Sequence, residues 1–159
     1  MPYLVRHAHA GDKRAWTGPD RLRPLSAPGR REAHGLLVQL RDDRITRILC
    51  SPAVRCLETV EPLARRRGLP VEAAEVIGSI PSTLLALLLD PAADEAVVCS
   101  HGELIGAALK RLVGSKLDPG GELVWPKGRP GCSRWTAVGS SMAGICRRFV
   151  STTPRPATT

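Results

Sequence analysis

Aromatic side chains are scarce in this chain, because Phe, Trp and Tyr together make up 3% of its 159 residues. Proteins that hold single-stranded nucleic acid use aromatic side chains as stacking platforms, so this scarcity disfavours nucleic acid as a partner. The sequence also has no apolar run long enough to cross a bilayer, and it enters a strand-like segment at Tyr3 without a signal-type apolar core. We therefore expect a cytoplasmic protein with no membrane contact.

Cysteine occurs five times, but no Cys-x-x-Cys pair is present. An odd number of cysteines, in a chain without a secretion signal, favours buried and reduced thiols over a disulfide framework. We expect the cysteines to pack as small apolar side chains.

Acidic residues are outnumbered, with 15 Asp and Glu against 23 Lys and Arg, which gives a formal net charge of +8. A strongly basic balance predicts anionic partners. A phosphorylated substrate accounts for this charge as well as nucleic acid does, and binding such a substrate does not require aromatic stacking platforms.

Length and a hydrophobic content of 43% predict one globular domain over residues 1–150, followed by a flexible tail at 151–159. Strands are predicted at Tyr3–Val5, Ile45–Cys50, Val71–Ile77 and Ala96–Cys99, with two closing strands at Ser133–Val138 and Gly144–Val150. Helical spacing of apolar residues begins near Ser26, Ser51, Pro81 and Leu104, with Ser26 and Ser51 as candidate N-caps. This alternation predicts an α/β fold, a three-layer α/β/α sandwich with a mostly parallel central sheet.

Three of the predicted strands run directly into polar residues. The first is followed by Arg6-His7, the second by the segment Ser51 to Arg55, and the fourth by Ser100-His101. The carboxyl ends of parallel strands lie at one edge of a sheet, where ligands bind in open α/β folds. We therefore expect two imidazoles and two guanidinium groups to converge there.

This set of side chains suits phosphoryl transfer. His7, kept neutral by a neighbouring cation, can attack phosphorus in line. Arg6, Arg55 and His101 can hold the equatorial oxygens and stabilise the charge of the transition state. Such a site needs no metal and no other cofactor.

The same segments resemble the motifs of the histidine phosphatase superfamily, which has the phosphoglycerate mutase-like fold. Leu4–Ala8 resembles its Arg-His-Gly signature, Ser51–Thr59 its Ser-Pro-x-x-Arg-x-x-x-Thr element, and Val98–Gly102 its second histidine element. The resemblance extends from about Pro2 to Val113, and three motifs in the right order are highly specific.

The resemblance implies a phosphohistidine intermediate on His7, phosphate binding by Arg6 and Arg55, and His101 as the second histidine of the site. The short chain and its Arg-His-Ala-x-Ala form look most like the small SixA-like phosphohistidine phosphatases. Shorter matches further along the chain are similar to the phosphatase half of actinobacterial proteins that also carry a Nudix domain.

Larger members of the family supply an acidic residue as general acid from the segment between the second and third motifs. That segment is short here, and Glu75 is the best-placed candidate, with Glu72 second. A solvent-facing carboxylate on a strand is the alternative for either residue. A site without a strong acid would suit leaving groups that need little help, such as the imidazole of phosphohistidine.

We therefore predict a metal-independent phosphatase that acts on phosphohistidine protein or on a small phosphorylated metabolite. Two alternatives stay open. One is a non-catalytic module that binds phosphate or nucleic acid and derives from a phosphatase. The other is a metal hydrolase that uses His7-x-His9 and Cys99-x-His101 as zinc ligands.

Overall fold

The computed structural model describes residues 2–114 and 149–150. Its strands form one parallel sheet in the order β3-β2-β4-β1-β5, namely β1 Tyr3–Arg6, β2 Arg47–Cys50, β3 Val71–Ala73, β4 Ala96–Ser100 and β5 Phe149–Val150. The predicted strand Ser133–Val138, most of the one at Gly144–Val150 and the predicted tail at 151–159 lie outside the described residues.

Helices cover both faces of the sheet, which confirms the predicted three-layer sandwich. They are α1 Ala27–Gln39, α2 Val54–Arg67, α3 Glu75–Ser79, α4 Pro81–Leu89 and α5 Gly102–Gly114, with 3-10 turns at Asp20–Leu22 and Pro91–Ala93. Alternate strand residues point to opposite faces, so Val5 and Val97 pack with α1 and α2, whereas Leu4 and Val98 pack with α3, α4 and α5. None of the helices in the described part of the chain is long and apolar enough to span a bilayer.

The three strands that carry the polar motifs are neighbours in the sheet, in the order β2-β4-β1. The ladder continues one step beyond each outer strand, because the His7 amide donates to the Ser100 carbonyl and the Ser51 amide to the Cys99 carbonyl, both at 3.0 Å. The three motifs therefore leave the sheet at one level, as expected from the parallel arrangement.

Two predicted boundaries near this edge were wrong. Helix α2 begins at Val54 and not at Ser51, its N-cap Ala53 has no side-chain cap, and the Ser51 hydroxyl contacts His101 instead. The predicted strand Val71–Ile77 ends at Ala73, where the sheet no longer continues, and Glu75 begins α3. Both changes place a helix start beside the polar strand ends.

The three cysteines in the described residues, Cys50, Cys56 and Cys99, are free and buried, which agrees with the prediction of reduced core thiols. They lie in the core between the sheet and helices α1 and α2. Cys56 also lies beneath the polar edge, with its sulfur 4.0 Å from both ring nitrogens of His101.

Candidate active site

Four of the five predicted site residues lie at the carboxyl edge of the sheet. Arg6 ends β1 and His7 follows it, Arg55 is in the first turn of α2, and His101 connects β4 to α5. The rings of His7 and His101 are 5.4 Å apart between centroids and meet edge-on at 67°. His7, Arg55 and His101 thus form one cluster, and Arg6 lies beside it at the end of β1. We call these four residues the histidine site.

The orientation of the His7 ring is fixed by its own chain. Its Nδ1 lies 2.8 Å from the carbonyl oxygen of Ala8, which can only accept a hydrogen bond, so Nδ1 carries the proton. The lone pair is therefore on Nε2, which accepts from Nε of Arg55 at 3.3 Å. Nε2 is the nucleophilic nitrogen of this ring.

Electrostatics keep the His7 ring neutral. Burial, reinforced by the positive charge of Arg55 and by the second imidazole, lowers the pKa of His7 from 6.5 to about 4, against the opposing effects of Cys56 and of the Ala8 hydrogen bond. At neutral pH the ring is unprotonated at Nε2. A protonated imidazole has no lone pair to donate, so this lowered pKa leaves the His7 ring in the form that can act as a nucleophile.

His101 adopts one tautomer for a similar reason. Its Nδ1 lies 3.3 Å from Nη2 of Arg55, and a guanidinium can only donate, so Nδ1 accepts and Nε2 carries the proton. That proton is donated to the Ser51 hydroxyl, 3.0 Å away. Ser51 therefore orients the second imidazole, a role that the sequence analysis did not assign to it.

Arg55 lies between the two rings and is 8% exposed. Its remaining donors go to one residue of the 3-10 turn: Nη1 donates to the Asp20 carbonyl at 2.7 Å, and Nη2 is 3.1 Å from the Asp20 carboxylate. No role was predicted for Asp20 from the sequence. Asp20 and Arg23, three residues apart and thus able to pair, were the missed signal.

Thr59 connects the His7 loop to α2. Its buried hydroxyl accepts from the Ala8 amide at 2.9 Å and donates to the Arg55 carbonyl at 2.6 Å. One side chain therefore fixes the backbone next to the proposed nucleophile and the backbone of its arginine neighbour. Thr59 belongs to the second motif, but the sequence alone gave no role for it.

Arg6 packs on the start of α5. A Cβ on Gly102 would lie 3.0 Å from Nε and 3.3 Å from Cζ of Arg6, so a side chain at this position would require the guanidinium to shift by a few tenths of an ångström. A helix N-terminus carries partial positive charge and free amide donors. Together with the guanidinium, it makes this side of the histidine site suitable for an anion.

The predicted acids lie outside the contacts described above. Glu72 is paired across the sheet with Arg47 at 2.7 Å, and this hydrogen bond lowers the pKa of Glu72. Glu75 is exposed at the start of α3, and within residues 2–114 its carboxylate makes no hydrogen bond or ion pair. Its helix does reach the site, because a Cβ on Gly78 would overlap with the Ser51 hydroxyl and lie 3.7 Å from Nε2 of His101.

The zinc ligands of the alternative hypothesis have other partners. Nδ1 of His9 lies 2.6 Å from the Ser26 hydroxyl at the start of α1, and the Cys99 thiol points to the carbonyl of Cys56 in the core. In the described part of the chain, no group of three or more His, Cys, Asp and Glu side chains is arranged to hold a metal ion.

Comparisons with known proteins identify relatives of this chain in sequence and in structure. The model of the histidine phosphatase superfamily, branch 1, matches residues 2–78. The 8-oxo-(d)GTP phosphatase of Mycolicibacterium smegmatis is 34% identical over 134 residues, which are 83% of this chain. The chain spans only 36% of the length of that relative.

Solved structures show the same fold. A protein of Agrobacterium tumefaciens named as a SixA phosphohistidine phosphatase is similar with a TM-score of 0.59 and 27% identity, over 74% of this chain and 80% of that one. A SixA protein histidine phosphatase solved with tungstate has a TM-score of 0.51 and 24% identity, over 69% and 74% of the two chains. The expected phosphoglycerate mutase-like fold is confirmed.

Proposed function

The chain belongs to the histidine phosphatase superfamily, and we propose that it is a phosphatase that hydrolyses its substrate through a phosphohistidine intermediate on His7. The observation that carries this proposal is the state of the His7 ring. Its Nδ1 is bound to the Ala8 carbonyl, its pKa is lowered to about 4, and its Nε2 lone pair faces the cationic side of the site.

In the first step, the lone pair on Nε2 of His7 attacks phosphorus, and the bond from phosphorus to the leaving group breaks. Arg55, Arg6 and the start of α5 supply positive charge and donors for the three remaining oxygens. In the second step, water attacks the phosphorus, the N–P bond breaks, and inorganic phosphate leaves with the ring neutral again. Neither step requires a metal ion.

We further propose Glu75 as the group that protonates the leaving group and later activates the water. It lies three residues before Gly78 on α3, a spacing that puts both on one face of the helix, and Gly78 is the point where α3 meets Ser51 and His101. A Glu75→Gln variant should lose more activity on an aryl phosphate whose leaving group has a high pKa than on one whose leaving group has a low pKa. A leaving group with a low pKa needs little protonation to depart.

The proposed substrates are phosphohistidine on a protein or a small phosphorylated metabolite. Three substrates separate these classes: a phosphohistidine peptide, a generic aryl phosphate, and an 8-oxo-guanine nucleotide, suggested by the name of the mycobacterial relative. Each is assayed with EDTA for the wild type and His7→Ala.

Turnover that persists in EDTA and vanishes in His7→Ala supports the proposal, and the preferred substrate identifies the class. Loss of wild-type activity on chelation would favour the metal hydrolase instead. Phosphate binding without turnover of any substrate would favour the non-catalytic module.

A further inference from the structure

Asp20 joins two arginines that are themselves mostly buried. Its carboxylate lies 2.9 Å from Nε of Arg23 through one oxygen and 3.1 Å from Nη2 of Arg55 through the other, and its backbone carbonyl accepts from Nη1 of Arg55 at 2.7 Å. The side chains of the two arginines are 10% and 9% exposed, whereas that of Asp20 is 37% exposed. Asp20 therefore borders the histidine site on the side of the 3-10 turn Asp20–Leu22.

Arg23 holds the carboxylate oxygen of Asp20 that Arg55 does not contact. Its Nη1 donates to the buried carbonyl of Ala10 at 2.7 Å, so the guanidinium is bound to the chain segment that follows the His7 loop. An arginine side chain loses rotamer entropy when it is held in one conformation. Arg55 reaches the site with both Nη atoms already engaged by Asp20, which reduces its freedom to leave the two imidazoles.

The charge state of Asp20 suits this role and does not suit proton transfer. Partial burial on its own raises the pKa of Asp20, but the hydrogen bond from Arg23 and the charges of Arg55, Arg23 and Lys13 lower it below the ordinary value. The carboxylate is therefore ionised at neutral pH. It cannot donate a proton to a leaving group there, but it can hold a guanidinium.

We propose that Asp20 is a positioning residue of the histidine site: its carboxylate and its carbonyl hold the Arg55 guanidinium against His7 and His101, in the place where phosphate is bound. A carboxylate at the edge of an anion site also repels the anion. The proposal therefore requires that the gain from holding Arg55 exceeds this repulsion.

A double-mutant cycle separates the two effects, with the dissociation constant of inorganic phosphate, measured by titration calorimetry, as the readout. If Asp20 acts through Arg55, Asp20→Ala should raise this constant at least about tenfold in the otherwise wild-type chain, the loss expected when a charge-assisted hydrogen bond is removed. In the Arg55→Ala background, Asp20→Ala should leave the constant unchanged within about twofold or lower it, because only the repulsion is left.

Asp12→Ala is the matched control. It removes the same charge from the same loop, where the Asp12 carboxylate accepts only from the Arg14 amide among its described contacts, and it should change phosphate affinity by less than about twofold. Asp20→Asn keeps the shape without the charge and replaces Asp20→Ala in the cycle if the alanine variant does not show a cooperative thermal transition.

Equal losses in both backgrounds would overturn the proposal, because they would mean general damage to the loop. Tighter phosphate binding in the single variant would also overturn it, since repulsion would then dominate. The proposal rests on the proposed function only for its meaning in catalysis. If the wild type hydrolyses no phosphate ester, the proposed function fails, while the cycle on phosphate affinity still decides the role of Asp20.

Discussion

Replacement of Arg55 by lysine keeps the charge of the histidine site and removes its directed donors. Arg55 places Nε 3.3 Å from His7, Nη1 2.7 Å from the Asp20 carbonyl, and Nη2 between the Asp20 carboxylate at 3.1 Å and His101 at 3.3 Å. A lysine has one ammonium group on a flexible stem and can occupy only one of these positions. Arg55→Lys therefore tests whether geometry, and not charge alone, matters at this position.

The expected loss follows from the number of donors. Removing one preorganised donor to a transition-state oxygen typically lowers the rate 10²–10³-fold, which corresponds to about 3–4 kcal/mol. Arg55→Lys removes the donors that face both imidazoles, so we expect kcat/KM to fall by at least about 10²-fold. Both kcat and KM should change, because the guanidinium is proposed to bind phosphate in the ground state and in the transition state.

The assay is steady-state hydrolysis of an aryl phosphate in EDTA, with Arg65→Lys as the matched control. Arg65 lies on the same helix but is 78% exposed and paired with Glu61, and its replacement should leave kcat/KM unchanged within about twofold. Thermal unfolding of both variants checks that the loss is not one of folding. A folded Arg55→Lys enzyme within about threefold of the wild type would refute the role of the guanidinium geometry.

Three further perturbations test the surroundings of the site. Thr59→Val leaves the buried Ala8 amide without its acceptor and should lower the free energy of unfolding by about 1–3 kcal/mol in urea titrations; an unchanged midpoint would contradict the contact. Gly78→Ala introduces a Cβ that overlaps with the Ser51 hydroxyl. Because Ser51 orients His101, kcat/KM should fall at least about tenfold, and wild-type kinetics would show that α3 does not influence the position of His101. As pH falls from 7.5 to 4.5, the unfolded chain protonates His7 first, since its pKa in the fold is only about 4. The wild type should therefore lose about 2.5 kcal/mol of stability that a His7→Ala variant does not lose. If urea titrations showed the same decrease in the free energy of unfolding for both proteins, that result would contradict the lowered pKa.

Local sequence patterns were sufficient for the elements that bury apolar faces. The helix Pro81–Leu89 and the strand beginning at Ala96 follow directly from apolar runs and their flanking residues, and the structure has both. The three polar strand ends were enough to predict that His7, Arg55 and His101 meet. The carboxyl ends of parallel strands lie at the same edge of the sheet, whatever the sequence of the loops that follow them.

What the sequence did not reveal depends on contacts between distant segments. Ser51 has the pattern of a helix cap, but a hydrogen bond to His101, 50 residues away, overrides that preference. Asp20 belongs to a loop without periodicity, so nothing in the local pattern connects it with Arg55. Glu75 was placed on a strand because Val71–Ile77 is extended in pattern, whereas the strand ends after three residues.

The central claim is that His7 becomes phosphorylated during turnover. The most direct test is to quench the reaction of the wild type with an aryl phosphate in EDTA, digest with trypsin, and locate any acid-labile phosphate by mass spectrometry. Cleavage after Arg6 and Lys13 gives a peptide that begins at His7 and also contains His9, which serves as an internal control. We predict phosphate on His7 alone, and none in His7→Ala. Turnover with phosphate on His9, on another residue or on no residue, or turnover that persists in His7→Ala, would contradict the account.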